Sequence, residues 1–239
     1  ATKIWMEKSA PWTDGLKIGA VGASAISGRL DEFRIWGVVR TTTDIRQNMH
    51  QALTACETGL KAYYQFNQIT KSTVLDVTGA HNGKPLGGID FIASSLPLAQ
   101  GASASLPETA EFTPYNNADI EAASNSPISN AKLTIASLNA TPNSTQGVDA
   151  ETIYSNRYWV AWRHENNSKK IDANLRFTLP YDLTAIEAAN PLQMILFGRP
   201  AGSDGPWSIV TVGNEVNADS NTVTFNNVPS LGQYLVSRS

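Results

Sequence analysis

The sequence predicts an all-β protein, with a short helix near its start and two β-sandwich units. Two observations lead to this fold class. Charged residues make up only 16% of the 239 residues, against about a quarter in an average globular chain. Short segments that alternate polar and apolar side chains are separated by Ser, Thr, Asn and Gly, which favour turns over helix interiors.

The first region, residues 1–93, contains two strand patterns. From residue 32 the side chains alternate, so that Phe33 and Ile35 share one face and Trp36 lies on the other. The segment Gly59–Phe66 alternates in the same way. Period-two alternation with aromatic and β-branched residues indicates half-buried strands.

A short helix is predicted between these two strands. Thr41 and Asp44 have the spacing of a capping box at a helix start. Ile45, Met49 and Leu53 follow at intervals of four residues, which makes a narrow apolar stripe. We therefore expect an amphipathic helix whose stripe lies against a sheet.

Four motifs in this region occur in a fixed order, starting at residues 28, 44, 57 and 76: GRLDEFRIW, DIRQNM, ETGLKAYYQF and DVTGAHNG. In this order they resemble the C-terminal half of LamG-like jelly-roll domains, which are concanavalin A-like lectin/glucanase sandwiches of large Bacteroidetes surface proteins. The resemblance covers roughly residues 14–92. It implies an incomplete jelly-roll sandwich, so we expect a fragment whose first sheet is completed by an upstream half or by another chain.

The second region, residues 94–129, has little apolar periodicity and is rich in Pro, Ser and Asn. Such a composition buries too little apolar surface to fold alone. We predict an extended linker between two domains.

The third region, residues 130–239, predicts an Ig-like β-sandwich. Seven short strands separated by turn signals are typical of this architecture, although the Cys…Trp…Cys signature of true immunoglobulin domains is missing. The predicted strands are Ala131–Ala136, Arg157–Arg163, Asn174–Thr178, Leu192–Phe197, Trp207–Thr211, Thr222–Phe225 and Gln233–Val236.

Charge and composition argue against some partners. The net charge is −3 and the basic residues are scattered, so the chain lacks the basic patch of a nucleic-acid binder. No apolar run reaches the length that crosses a bilayer, so membrane insertion is not expected. The single cysteine, Cys56, rules out an intrachain disulfide. The resemblance implies an extracellular or cell-surface location in a bacterium.

Three side chains are candidate ligand contacts: Trp159, Arg163 and Trp36. Alternation puts Tyr158 and Trp162 on one face of a strand and Trp159 with Arg163 on the other. If the second face is exposed, the pair is a sugar or partner contact; packing or an inter-domain contact is the favoured alternative. Trp36 is likewise predicted to pack, with ligand stacking as the alternative.

Calcium is the only metal that the resemblance suggests. The loop that precedes the GRLDEFRIW strand, Gly19–Ser27, has no carboxylate or amide side chain, so it lacks the ligands that calcium prefers. Asp76 and Asn82 are the remaining metal candidates, beside a turn stabilised by Asx hydrogen bonds. We therefore expect no cofactor and leave a structural calcium ion open.

The leading hypothesis is a non-enzymatic module pair of a large bacterial surface or secreted protein, acting in adhesion or as a structural stalk. No catalytic residue pair or motif is found in the sequence. The first alternative is a carbohydrate-binding lectin module. The second is an ancillary region of a polysaccharide-degrading enzyme, whose paired carboxylates would lie outside this chain.

Overall fold

A computed structural model describes residues 16–21, 24–25, 28–67, 72–115, 117–153, 156–164 and 172–239. These ranges contain two helices, α1 (Thr42–Asn48) and α2 (Ala185–Ala189), and 3₁₀ turns at Ala150–Thr152 and Pro191–Gln193. The first strands are β1 (Ala20–Val21), β2 (Ser24–Ala25), β3 (Phe33–Trp36) and β4 (Leu60–Tyr64). The remaining strands are β5 (Gly101–Pro107), β6 (Thr113–Tyr115), β7 (Ile120–Ser124), β8 (Lys132–Leu138), β9 (Tyr158–His164), β10 (Ala173–Thr178), β11 (Met194–Arg199), β12 (Ser208–Val212), β13 (Glu215–Asn217), β14 (Thr222–Val228) and β15 (Gln233–Arg238).

Strands β5 to β15 form two antiparallel sheets. One sheet has five strands in the order β13-β14-β10-β7-β6, and the other has six in the order β12-β11-β15-β9-β8-β5. Apolar side chains of both sheets meet in a common core. The predicted all-β, sandwich-like class is confirmed, while the jelly-roll and Ig-like assignments stay predictions.

Aromatic rings fill the space between the two sheets. The ring of Phe177 lies 4.8 Å from Trp159, 5.8 Å from Phe225 and 6.4 Å from Tyr234, measured between ring centroids, and all three contacts are edge-to-face. Each of these side chains is at most 1% exposed. Burying a side chain of this kind stabilises the fold by roughly 1.5–3 kcal/mol.

A second apolar cluster lies on the outer face of the six-stranded sheet. It contains Tyr158, Val160, Phe197 and Trp207, and side chains from the long connection between β8 and β9 pack against it. Arg199 links this connection to β11, because its guanidinium donates to the Ser144 carbonyl at 3.3 Å. The six-stranded sheet is therefore covered by apolar side chains on both faces.

The predicted linker at residues 94–129 is wrong where β5, β6 and β7 of the sandwich lie within it. Small residues hide the strand pattern: Ala102, Ala104 and Leu106 pack against the core, yet alanine adds little hydrophobicity. Pro107 and Pro114 also fit, because β5 and β6 are edge strands, where proline is tolerated.

The first region packs on the outer side of the six-stranded sheet. β3 and β4 pair as a two-stranded antiparallel sheet, and α1 connects them. The predicted capping box of Thr41 and Asp44 is present at the start of α1. The helix contacts β5 and β8, and the Ala52 amide donates to the Ala99 carbonyl at 2.9 Å.

The predicted apolar stripe of α1 is only partly buried. Leu53 is 8% exposed, whereas Met49 is 39% and Ile45 is 59% exposed. The expectation that this stripe lies against a sheet is therefore wrong for Ile45. Ile45 faces solvent, and α1 ends at Asn48, so Met49 and Leu53 lie outside the helix and do not continue its stripe.

A buried histidine lies where the first region meets the six-stranded sheet. His50 Nδ1 is 3.1 Å from the Pro97 carbonyl oxygen, and its ring centroid is 6.1 Å from that of Trp162. Because a carbonyl only accepts, Nδ1 carries the hydrogen, and Nε2 has no hydrogen-bond partner within the described part of the chain. Burial lowers the pKa of His50, and the bond to Pro97 opposes this shift only in part.

We expect the free energy of unfolding to fall as the pH drops below about 6.5. The unfolded chain protonates His50 near this pH, whereas the folded chain does so only at lower pH. Between the two pKa values the unfolded state binds more protons, so acid favours unfolding. Denaturant midpoints across this window should show the loss in the wild type and less of it in His50→Phe. An equal slope in both proteins would contradict the prediction.

Candidate functional site: the Trp36 cleft

Trp159 and Arg163 form no surface site. Trp159 is 1% exposed, and its Nε1 donates to the Ala118 carbonyl at 2.7 Å. Arg163 is 6% exposed and forms an ion pair with Glu108. The predicted alternation of the strand is correct, but the face that carries both residues points to the interior of the sandwich. The ligand-contact hypothesis is therefore corrected to packing for this pair.

Asp76 and Asn82 stabilise a turn. The Asp76 carboxylate accepts from the Tyr63 amide at 2.8 Å, from the Thr78 amide at 3.0 Å and hydroxyl at 2.6 Å, and from the His81 amide at 3.0 Å. The Asn82 side-chain oxygen accepts from the Asp76 amide at 3.0 Å. These donors use the oxygens that a cation would need.

The metal hypothesis for Asp76 and Asn82 is thus corrected to an Asx-stabilised turn. The described residues contain no group of three or more His, Cys, Asp or Glu side chains placed to hold a metal ion. The Gly19–Ser27 loop falls largely outside the described side chains.

Asp76 should make the first region sensitive to acid. Burial raises the pKa of its carboxyl, but the hydrogen bonds from Thr78, Tyr63 and His81 outweigh burial and lower the pKa below 3.8. A lowered carboxyl pKa stabilises the fold above about pH 3.8, and this stability is lost as the pH falls through the folded pKa.

The check is hydrogen exchange of the Tyr63, Thr78 and His81 amides. We expect their protection to fall in Asp76→Ala at neutral pH and in the wild type at acid pH, because both changes remove the charged acceptor. Unchanged protection in Asp76→Ala would contradict the structural role assigned to this carboxylate.

Trp36 is the one predicted ligand residue that stays partly exposed. It borders a shallow cleft of about 130 Å³, whose lining includes Arg40, Asp44, Ile45 and Met49. The guanidinium carbon of Arg40 lies 4.3 Å from the centroid of the Trp36 ring. A ligand that stacks on this face of the ring therefore has to displace Arg40.

Arg34 lines the cleft and is held by several hydrogen bonds. Its guanidinium donates to the carbonyls of Asn48 at 2.8 Å and Gln51 at 2.7 Å, and to the Glu32 carboxylate at 2.8 Å. It thereby satisfies carbonyl groups at and beyond the C-terminal end of α1. The same guanidinium lies 5.0 Å from the Tyr63 ring centroid, and the Tyr63 hydroxyl donates to Glu32.

Arg34 was not among the site residues predicted from the sequence. The only signal was an arginine on the polar face of a strand that is followed directly by a helix. Burial raises the pKa of the neighbouring Tyr63 hydroxyl, and its hydrogen bond to Glu32 adds to the shift.

The cleft combines an aromatic ring, two guanidinium groups and a carboxylate. Asp44 is held by Thr41, whose side-chain and backbone hydrogen bonds lower the pKa of the Asp44 carboxyl. Among the residues that line the cleft, no nucleophile lies beside a base. A group of this kind offers stacking, hydrogen bonding and charge to a ligand, and no chemistry beyond these.

Comparison of the chain with protein families, with curated proteins and with solved structures finds no match in any of the three. Within the described ranges, neither helix is long and apolar enough to cross a lipid bilayer.

Proposed function

We propose that this chain is a non-enzymatic module pair of a large secreted or cell-surface bacterial protein, acting in adhesion or as a structural stalk. The observation that carries the proposal is a contrast between its two parts. Of the 18 large apolar side chains exposed among the described residues, 13 lie in residues 16–96 and five in the sandwich, which otherwise buries a continuous core. Val39 is 99% exposed, Leu86 73% and Ile92 57%.

Exposed apolar groups collected in one segment favour a surface that binds another polypeptide. The partner is the upstream half of a jelly roll or another chain, with surface glycans or proteins as further ligands. The structural use of Asp76, Glu108 and Arg163 supports the non-enzymatic part of the proposal, because these groups are committed to hydrogen bonds and an ion pair.

An adhesion assay tests the proposal. The chain is displayed on a non-adherent bacterium, and retention under flow is measured on mucin-coated and collagen-coated surfaces. We expect retention above that of bare cells, and a loss in Val39→Lys/Leu86→Lys. The matched control is Ile186→Lys/Leu192→Lys, which alters two side chains of the sandwich that are 70% and 69% exposed.

Retention no better than that of bare cells would remove the adhesive role. Release of reducing sugar from a panel of polysaccharides by the purified chain would remove the non-enzymatic one.

The Trp36 cleft favours one alternative, a carbohydrate-binding lectin module, because aromatic rings stack on sugars. This alternative predicts opposite effects of two substitutions on a glycan array. Trp36→Ala should abolish binding, whereas Arg40→Ala should strengthen it by uncovering the ring. A wild-type chain that binds no glycan excludes the alternative. The ancillary region of a polysaccharide-degrading enzyme would bind in the same way without cleaving.

A further inference from the structure

Three of the four edges of the sandwich are protected against pairing with another strand. β13 has three residues and begins with Glu215, and β6 has three residues with Pro114 at its centre. At β5 the first region covers the edge, where α1 makes contacts and Gln51 Nε2 donates to the Ala102 carbonyl at 3.5 Å. Short length, charge, proline and covering elements are the usual protections of edge strands.

The fourth edge, β12, has neither charge nor proline, although its pairing with β11 has a bulge and the Trp207 amide just before it donates to the Gln146 carbonyl at 2.8 Å. Its sequence, Ser208-Ile209-Val210-Thr211-Val212, contains no charge and no proline. β12 pairs only with β11, and no hydrogen bond between described residues occupies its outer edge. An open strand of this length presents a row of unpaired amide and carbonyl groups.

The side chains of β12 fit a strand partner as well. The pairing of β12 with β11 shifts register at one point, so that Ile209 faces Phe197 and Val212 faces Ile195. Phe197 belongs to the second apolar cluster, on the outer face of the six-stranded sheet, and Ile195 packs against that cluster. Ile209 and Val212 therefore lie on the outer face of the sheet. Ile209 is 64% exposed and Val212 is 38% exposed. Val210 instead packs against the inner core and holds the strand in place.

We infer that β12 is a self-association edge, at which two copies of this chain pair antiparallel and join their six-stranded sheets. A two-fold axis between Val210 and Thr211 places Ile209 opposite Val212 of the partner subunit, twice per dimer. β-Branched cross-strand pairs of this kind stabilise antiparallel sheets.

A second copy is the occupant that the charges favour. Residues 206–214 carry no charged side chain, so two identical edges meet without like-charge repulsion. The contact is isologous, and it closes the assembly at a dimer because, among the described residues, β12 is the one sandwich edge without charge, proline or cover by the first region.

The first test is the mass of the intact chain in solution. Light scattering or sedimentation equilibrium should show a concentration-dependent species of twice the chain mass of 25.7 kDa. Ile209→Lys places a charged side chain opposite Val212 of the partner subunit, twice per dimer, and should return the protein to one chain mass. Ile186→Lys, at a side chain that is 70% exposed on α2, is the matched control and should leave the dimer intact. A wild type that stays at one chain mass at every concentration would overturn the inference.

The second test fixes the register with disulfides. Cys56 is the only cysteine, so Cys56→Ser gives a cysteine-free background. In this background, Ile209→Cys and Val212→Cys are prepared as two separate proteins. Their mixture should form a cross-linked heterodimer on oxidation, in at least tenfold excess over either protein alone. Cross-linking that is equal in the single proteins and the mixture, or missing from the mixture, would overturn the proposed pairing.

Discussion

Glu108→Ala should lower the free energy of unfolding by roughly 3–5 kcal/mol. The Glu108 side chain is 0% exposed and that of Arg163 is 5% exposed. Arg163 donates to both carboxylate oxygens, through Nε to Oε1 and through Nη2 to Oε2 at 2.9 Å. The Ile128 amide also donates to Glu108 at 3.2 Å. Truncation therefore leaves a buried guanidinium without its carboxylate.

An exposed ion pair of the same chemistry is the control for this prediction. Arg176 and Glu121 are joined at 2.8 Å, but their side chains are 31% and 36% exposed. Glu121→Ala should cost at most about 1 kcal/mol, because solvent screens the lost attraction. Urea unfolding of both variants measures the difference. Equal losses would contradict the assignment of the Glu108 pair to the interior.

Trp159→Ala should cost about 3–5 kcal/mol, the range for removing a large aromatic side chain from a packed core. The indole packs edge-to-face on Phe177 at 4.8 Å and donates to the Ala118 carbonyl. The substitution opens a cavity and leaves that carbonyl without its donor. We expect a lower urea midpoint together with a loss of near-ultraviolet dichroism.

Trp36→Ala provides the comparison, because it removes the same side chain from a partly exposed position. It loses the contact with Arg40, which is worth about 0.5–1 kcal/mol, and some packing within the first region. The sandwich transition should keep its midpoint. A Trp159→Ala protein as stable as Trp36→Ala would restore Trp159 as a surface ligand contact.

Much of the sandwich was predictable from alternation. Each of the seven strands predicted in residues 130–239 overlaps an observed strand, although Leu192 and Gln193 lie in a 3₁₀ turn before β11. β13 was missed, since its three residues give a single apolar side chain, Val216, which is too short a pattern. β5 was missed because Ala102 and Ala104 fill the inward positions with little apolar surface.

The burial of Trp159 was not predictable from its strand alone. Alternation assigns Trp159 and Tyr158 to opposite faces of β9, and one exposed face is the usual outcome in an antiparallel sheet. Here both faces are covered, by the second sheet and by the outer cluster, so both residues are buried. The Trp36 cleft depends equally on distant partners, since Arg34 reaches Gln51 across 17 positions of the chain.

The path of the chain through the six-stranded sheet has a mechanical consequence. Cross-strand pairing places Gly101, Leu138 and Tyr158 in one row, and β15 reaches this row shortly before it ends at Arg238. The first and last strands of the sandwich thus have their outer ends on the same side. A force that pulls Gly101 away from Arg238 peels β5 off β8 one hydrogen bond after another instead of shearing whole strands. The sandwich should therefore open at low tension when it is pulled between these two points.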